Sequence, residues 1–243
     1  MGKIYCDQIK VLDWSKDIQT NLEDTVQVYR ASLLDDVEKI ASYSRYLSSE
    51  ELMRSKQFRN KIDSNRFIVG RAMVKYMAAK ILNKDFESVE IIYTTNNKPI
   101  IDKEINFHFN LSHSGDYVVL AICKRWDIGI DIEYCNSDFK FQPILDYCMS
   151  EKEQSEITED KNPLNTFLMY WTRKEAILKG TGIGILERLN TFSCLNGINF
   201  IPGFLTGIAS QWMIRSFYID KNYIVSLAHD SSLNKLSFYE FKI

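Results

Sequence analysis

The sequence has few of the residues that interrupt regular structure or mark special sites. It contains four prolines, ten glycines and three histidines in 243 residues, and no flexible linker or low-complexity run. Its five cysteines are an odd number and include no C-x-x-C pair, which indicates free thiols in a reducing compartment. No stretch approaches the roughly 20 apolar residues of a membrane span, and the N-terminal segment has no apolar core of signal-peptide length. We therefore predict a cytoplasmic protein without membrane contact.

The composition is that of an ordinary folded protein. Hydrophobic residues make up 45% of the chain, charged residues 26% and aromatic residues 13%, which argues against disorder. The length suffices for one large domain or two small ones. The formal net charge of −2 gives no overall attraction to nucleic acid, which is not expected as a partner. Any phosphate binding must come from local clusters of residues.

A weak internal repeat indicates how the chain is organised. The segment GDYVVLAI at 115–122 resembles KNYIVSLAH at 221–229, and a helical pattern precedes each of them. Two similar α/β halves would explain the repeat, although aromatic and β-branched runs occur in any buried strand. We predict an α/β (α+β) fold whose halves are residues 1–124 and 125–243.

Local patterns assign most of the secondary structure. In chain order they predict a strand at Ile4–Trp14, helices at Asp24–Tyr46 and Ser49–Leu82, strands at Val89–Thr94 and Ile105–Asn110, helices within Ser150–Gly180, and a final run of strands. The sequence NNKP predicts a turn before the strand at Ile105–Asn110, because asparagine tolerates left-handed backbone angles and proline fixes φ. Lys98 is expected to project from this turn.

Residues 128–133 alternate with the period of a β-strand. Asp131 and Glu133 therefore project from one face, while Ile130 and Ile132 pack on the other. A solvent-exposed acidic face is the ordinary explanation. A hard-cation site is the alternative, because carboxylate oxygens on a rigid strand suit Mg²⁺, which keeps some waters and shares its other positions with a phosphate.

A stripe on the predicted helix offers a third carboxylate. Trp171, Glu175 and Lys179 lie four residues apart and therefore share one helix face. They are consistent with an exposed Glu–Lys pair beside an aromatic core residue. Alternatively, Glu175 lies beside a metal, and Lys179 faces charge that develops on a departing phosphate.

A strand that ends in small polar residues is a candidate anion site. In FNLSHSG at 109–115, Ser112 offers a hydroxyl and a backbone N–H, and His113 offers an imidazole. A hydrolase nucleophile is a competing interpretation, but no G-x-S-x-G elbow is present. A histidine at a turn is also commonly a plain surface residue.

Basic residues of the first half offer further phosphate partners. The candidates are Arg54, Lys56, Arg66, Arg71 and Lys98. The glycines at 180–184 follow a helix, whereas a dinucleotide loop lies between a strand and a helix, and no G-x-x-x-x-G-K-[ST] sequence occurs. Both nucleotide-loop motifs are therefore excluded.

Taken in order, the segments FNLSHSG, GIDIE and WTRKEAILK followed by GTGIG resemble the surfactin-synthetase-activating class of 4′-phosphopantetheinyl transferases. The preceding NKP extends the likeness toward the N-terminus. The resemblance implies a pseudo-dimer of two α/β halves with the active site in the cleft between them. It also implies a monomeric, Mg²⁺-dependent enzyme that moves phosphopantetheine from coenzyme A to a serine of an acyl or peptidyl carrier protein, with roles in peptide or polyketide synthesis.

The resemblance further implies roles for individual residues. Asp131, Glu133 and Glu175 would hold Mg²⁺ and the diphosphate of coenzyme A. Glu175 would help to deprotonate the carrier serine. Lys179, together with Lys174, would stabilise the departing adenosine 3′,5′-bisphosphate. The residues implied for the nucleotide are Ser112 and His113 at its 3′-phosphate, with Arg66, Lys98 and Arg54.

The chain also departs from the family pattern in its first half. Asn97 stands where the family often has glycine before Lys-Pro, and few basic residues precede Phe58. Two other functions stay open on the sequence alone: a non-catalytic carrier-binding module of the same fold, and a magnesium-dependent phosphohydrolase that acts on a nucleotide.

Overall fold

The computed structural model describes residues 1–34, 37–101, 106–184, 189–207 and 211–242. Its strands are β1 (Gly2–Gln8), β2 (Trp14–Ser15), β3 (Thr25–Ser32), β4 (Ile92–Tyr93), β5 (Pro99–Ile100), β6 (His108–Ser114), β7 (Tyr117–Cys123), β8 (Gly129–Tyr134), β9 (Gly197–Ile201), β10 (Gln211–Ile219), β11 (Tyr223–Asp230) and β12 (Lys235–Glu240). Its α-helices are α1 (Val37–Ser42), α2 (Ser49–Ser55), α3 (Lys61–Leu82), α4 (Leu145–Cys148), α5 (Glu151–Glu159) and α6 (Pro163–Thr181). None of these helices is long and apolar enough to cross a membrane.

Two five-stranded sheets form the centre of the fold. Sheet 1 has the order β2-β12-β3-β7-β6, and sheet 2 has the order β8-β11-β10-β1-β9. The sheets pack face to face because strand residues alternate: Val119 and Ala121 of β7 face sheet 2, whereas Leu120 faces α3. Helix α3 covers the outer face of sheet 1 and α6 that of sheet 2. The mixed α/β prediction is confirmed.

The two ends of the chain exchange sheets. The N-terminal strand β1 pairs in parallel with β10 and so belongs to sheet 2. The C-terminal strand β12 pairs in parallel with β3 and so belongs to sheet 1. The division into residues 1–124 and 125–243 stays a prediction, but the sheets do not follow it at either end of the chain.

The helix predicted at Asp24–Tyr46 is wrong over its first part, where the chain forms β3. This strand is paired on both sides, by β12 and β7. Val26 and Val28 both pack between the sheets, so the hydrophobic period here is two residues rather than the helical 3.6. The period is hidden in the sequence because both faces are buried, with Tyr29 and Ala31 packing toward α3, and because Gln27 and Arg30 interrupt the apolar pattern.

Other boundaries also differ from the prediction. The single strand predicted at Ile4–Trp14 is wrong, because β1 ends at Gln8 and the chain reaches sheet 1 at β2. The predicted strand at Ile105–Asn110 begins outside the described residues, and β6 starts at His108. The turn at NNKP is confirmed, and Asn97 adopts a φ of 59°, a conformation that asparagine tolerates better than most residues.

Helix α6 lies close against β8. A Cβ at Gly129 would lie 1.9 Å from the Ala176 carbonyl oxygen and 2.5 Å from the Gly180 nitrogen. Only glycine permits this approach of helix and strand. The consequence is that side chains of α6 reach the acidic face of β8.

Candidate functional site

The edges of the two sheets meet along β6 and β8. The side-chain oxygen of Asn110 accepts a hydrogen bond from the Ile130 N–H at 2.8 Å, and the Ser114 hydroxyl accepts one from the Tyr134 N–H at 3.0 Å. Side chains of β6 therefore satisfy backbone donors that β8, an edge strand, would otherwise leave unpaired. This junction fixes β8 against the strand that carries Ser112.

Asp131 is the most buried acidic group at the junction. Its Oδ1 accepts hydrogen bonds from Lys179 Nζ at 2.6 Å and from Ser112 Oγ at 2.9 Å. Lys179 also donates to Ser112 Oγ at 3.0 Å. Asp131 is only 4% exposed, and its Oδ2 is buried with no hydrogen-bond partner among the described residues. A buried carboxylate oxygen without a donor is costly.

Glu133 lies on the same face of β8, as the alternation predicted. Its Oε2 accepts a hydrogen bond from Ser114 Oγ at 3.1 Å, and the nearby indole of Trp171 on α6 favours its ionised form. Burial, followed by the neighbouring charge of Asp131, raises the pKa of Glu133 to about 7. Burial and the charge of Asp131 therefore both disfavour the ionised form of this carboxyl group.

Trp171, Glu175 and Lys179 share one face of α6, as the spacing predicted, and this face meets β8. Trp171 favours the ionised form of Glu133, Lys179 binds Asp131, and the charge of Asp131 acts on Glu175. The pKa of Glu175 is raised by burial first and by Asp131 second, against the opposing effect of Lys179. Three carboxylates thus share one ammonium group at the junction.

These carboxylates fit a divalent cation in donor type and in charge. Among the described residues no group of three or more His, Cys, Asp or Glu side chains is arranged as a ready metal site. The unpartnered Oδ2 of Asp131 and the repulsion that the Asp131 charge exerts on Glu133 and Glu175 nevertheless mark a local excess of negative charge. Oxygen ligands with such an excess are what Mg²⁺ binds in proteins.

Lys174 corrects one expectation from the sequence. Its ammonium group is completely buried and contacts Glu153 at 2.8 Å and the carbonyl oxygens of Leu189 and Phe192 at 2.8 and 2.6 Å. Five residues along a helix turn the side chain to a different face, so Lys174 lies away from the face of Lys179. It stabilises the packing of α6 and is not available to a departing phosphate.

Ser112 and His113 are adjacent on β6 and therefore project to opposite faces. Ser112 faces Asp131, whereas His113 lines a cavity of about 330 Å³ together with Arg66, Phe67 and Leu111. The pKa of His113 is lowered, first by desolvation and then by the charge of Arg66. The imidazole is thus mostly neutral near pH 7 and able to donate or accept a hydrogen bond.

The basic candidates occupy several places. Arg66 lies near His113 and donates to the carbonyl oxygen of Gly115 at 2.6 and 3.1 Å. Arg54 is exposed, and its nearest hydrogen-bond acceptor is the Tyr93 hydroxyl at 3.5 Å. Lys98 instead binds the end of α6. The structure therefore brings Arg66 to the cavity beside His113, places Arg54 over the ring of Phe67 at the same cavity, and directs Lys98 elsewhere.

Sequence reasoning missed the roles of Asn110 and Ser114. Both share the β8-facing side of β6 with Ser112, because the three are spaced by two residues. The alternation of polar residues within FNLSHSG was the available signal. Three consecutive polar positions on one face of a strand indicate a face that meets other polar groups rather than a core.

The chain is similar to known proteins over most of its length. The family model described as "4'-phosphopantetheinyl transferase, N-terminal" matches residues 36–125, and the model for the 4′-phosphopantetheinyl transferase superfamily matches residues 127–228. The chain is 32% identical over 173 residues to the 4′-phosphopantetheinyl transferase HetI of Nostoc sp., which covers 69% of this chain and 73% of that protein.

Two mammalian proteins are similar at comparable levels, and both carry the name L-aminoadipate-semialdehyde dehydrogenase-phosphopantetheinyl transferase. The protein from Homo sapiens is 30% identical over 209 residues, which covers 76% of this chain and 67% of the human protein. The protein from Rattus norvegicus is 31% identical over 154 residues, 58% of this chain. The match to the rat protein spans 50% of its length.

Proposed function

The chain belongs to the 4′-phosphopantetheinyl transferase superfamily, and from this premise we propose that it transfers 4′-phosphopantetheine from coenzyme A to a serine of an acyl or peptidyl carrier protein. The other product is adenosine 3′,5′-bisphosphate. The supporting observation is the junction of β6 and β8, where Lys179 binds Asp131 at 2.6 Å and its charge acts on Glu133 and Glu175.

Mg²⁺ is the proposed cofactor, held by Asp131, Glu133 and Glu175. The buried Oδ2 of Asp131 has no partner among the described residues and offers a direct ligand. When bound, Mg²⁺ would coordinate the diphosphate oxygens of coenzyme A and neutralise part of their charge. The protein would provide the position, because Ser112 and Ser114 hydrogen-bond Asp131 and Glu133 from the neighbouring strand.

The reaction is an in-line phosphoryl transfer in which different side chains have different roles. The carrier serine oxygen forms a bond to the phosphorus of the phosphopantetheine phosphate as the bond to the bridging oxygen of the diphosphate breaks. Glu175 accepts the serine proton, directly or through water. Lys179 stabilises the negative charge of the leaving group.

The nucleotide would lie across β6, with Ser112, His113 and Arg66 close to its phosphates. The cavity beside His113 also contains the aromatic ring of Phe67, a suitable partner for a base. Binding of the nucleotide by Arg54 stays a prediction, whereas the ammonium group of Lys98 is bound to the Gly180 carbonyl oxygen and to Asp127. We further propose the surfactin-synthetase-activating class, a pseudo-dimer with its site in the cleft between halves, a monomeric state and a cytoplasmic location.

A direct assay tests the proposed activity. The chain is incubated with coenzyme A, Mg²⁺ and a carrier protein of peptide, polyketide or fatty-acid synthesis, and the carrier is examined by mass spectrometry. We expect the carrier to gain the mass of one phosphopantetheine group, and to gain none when EDTA replaces Mg²⁺. Replacement of the carrier serine by alanine should also prevent the gain.

Glu175→Gln and a matched control identify the site. We expect Glu175→Gln to lower the transfer rate by at least about 100-fold, because it removes both a ligand and a base. Glu151→Gln changes an exposed glutamate of α5 and should leave the rate unchanged. No mass gain on any carrier with Mg²⁺ present would refute transfer, and release of free phosphopantetheine without a carrier would indicate a phosphohydrolase instead.

A further inference from the structure

The turn between β4 and β5 carries two residues that contact the end of α6. Its backbone is fixed by hydrogen bonds from Asn97 N to Thr94 O at 2.9 Å and from Thr94 N to Lys98 O at 3.0 Å. The Lys98 N–H also donates to Thr94 Oγ1 at 3.1 Å. Asn96 and Lys98 are therefore held on a rigid hairpin rather than on a loose loop.

Both side chains donate to carbonyl oxygens at the C-terminus of α6. Lys98 Nζ donates to the Gly180 oxygen at 2.6 Å, and Asn96 Nδ2 donates to the Gly182 oxygen at 2.8 Å. The last carbonyl groups of a helix lack partners within the helix and carry partial negative charge. A lysine at this position satisfies one carbonyl group and is attracted by the helix dipole.

Lys98 also connects the helix end to the start of β8. Its Nζ lies 3.3 Å from Asp127 Oδ1, two residues before β8 begins. An added Cβ at Gly182 would lie 3.2 Å from Lys98 Cδ, so the aliphatic part of the lysine rests on the helix end. The side chain is only 12% exposed. Two of the three donors of the ammonium group are thus committed within the protein.

We propose that Asn96 and Lys98 are positioning residues that cap α6 and hold its last turns against β8. Lys179 precedes the capped carbonyl by one residue, and Glu175 lies on the preceding turn of the same face. Loss of the cap would let the last turn of α6 fray and would move Lys179 away from Asp131. The proposal rests on the proposed transfer activity, and it gives Lys98 a role other than nucleotide binding.

The kinetic test compares turnover with nucleotide affinity. Lys98→Met keeps the aliphatic chain and removes the cap, and Asn96→Ala removes the second donor from an exposed position. We expect kcat to fall by about tenfold for Lys98→Met and less for Asn96→Ala, with the Kd for coenzyme A within twofold of the unchanged protein. Lys98→Arg should restore most of the turnover. Lys84→Met, an exposed lysine after α3, is the control.

A structural test separates this proposal from the transfer activity. Hydrogen exchange is measured at the Gly182 amide, which donates to Leu178 O at the end of α6. Faster exchange in Lys98→Met and Asn96→Ala, but not in Lys84→Met, is expected whether or not the right carrier has been found. Unchanged exchange would overturn the proposal. A Kd for coenzyme A raised tenfold or more with kcat preserved would also overturn it and assign Lys98 to the nucleotide.

Discussion

The same glutamate–lysine pair occurs in the two helical layers but in different surroundings. At the start of α2 a capping-box glutamate, Glu51, lies 3.2 Å from Lys75 of α3. At the start of α5 a second capping-box glutamate, Glu153, lies 2.8 Å from Lys174 of α6. The side chains of the second pair are 0% exposed, whereas Glu51 retains 18% exposure. In both layers, therefore, an ion pair between a capping-box glutamate and a lysine joins a short helix to a long one.

The difference lies in what surrounds each pair. Glu51 also has Arg71 at 3.8 Å and partial access to water. Glu153 accepts hydrogen bonds from Ser150 and from the Cys194 N–H, and its lysine binds two further carbonyl oxygens. Buried charges tolerate no loss of a partner, because the one that remains cannot be solvated. The layer that carries the candidate catalytic residues is thus the one held by obligatory ionic contacts.

Lys174→Met should give the largest effect. It conserves the apolar length of the side chain but leaves Glu153 charged and buried, so we expect the free energy of unfolding to fall by about 3–5 kcal/mol. Urea denaturation followed by tryptophan fluorescence measures this loss. Lys152→Met, an exposed change on α5, should stay within about 0.5 kcal/mol of the unchanged protein. A loss below about 1 kcal/mol for Lys174→Met would show that water reaches Glu153.

His229 is a buried titratable group that forms no ion pair among the described residues. It is 1% exposed on β11, and its Nε2 has no hydrogen-bond partner among the described residues. Burial, followed by the charge of Arg215, lowers its pKa from 6.5 to about 4. The unfolded chain therefore binds the proton first, so stability is lost as pH falls from about 6.5 to 4 and is unaffected above this window.

Protonation of His229 lowers the free energy of unfolding by about 3 kcal/mol as the pH falls from 6.5 to 4. We expect His229→Gln to flatten the fall in the free energy of unfolding between pH 6.5 and 4, as measured by urea denaturation at several pH values. An equally steep fall in His229→Gln would assign the acid sensitivity to other groups.

Lys75→Met should give the smallest effect of the three. The partly exposed Glu51 keeps Arg71 nearby and can be solvated, so we expect a loss of about 1 kcal/mol or less in the free energy of unfolding. The same denaturation experiment measures it beside Lys174→Met. Equal losses in the two variants would show that burial does not distinguish the two pairs.

Much of the candidate site was predictable from local periodicity. The two-residue period of a strand predicted that Asp131 and Glu133 share one strand face. The four-residue spacing predicted that Glu175 and Lys179 share one helix face. The structure places both faces together. The capping boxes at the starts of α2 and α5 could also be predicted from the pattern S-x-x-E, because the pattern describes a contact between residues three apart. The lysine partners of the two glutamates could not be predicted, because each lies on another helix, as Lys174 of α6 does for Glu153 of α5.

Lys174 and Lys98 show why the rest could not be predicted. Periodicity tells which face of a helix a residue occupies, but not what packs on that face. Lys174 is adjacent to Glu175 in sequence, yet it is buried against residues from two other segments. Lys98 looks like any exposed loop lysine, and only the approach of α6 gives it a carbonyl partner.

The sequence by itself determined the order of the motifs, the carboxylates on one strand face and the stripe on one helix face, because these depend on contacts within a few residues. Only the tertiary structure decided the exchange of the terminal strands, the burial of Lys174 and the side-chain bonds from Asn110 and Ser114 to β8. Those features join residues that are distant in the chain. They depend on which surfaces meet when both sheets bury their apolar faces together.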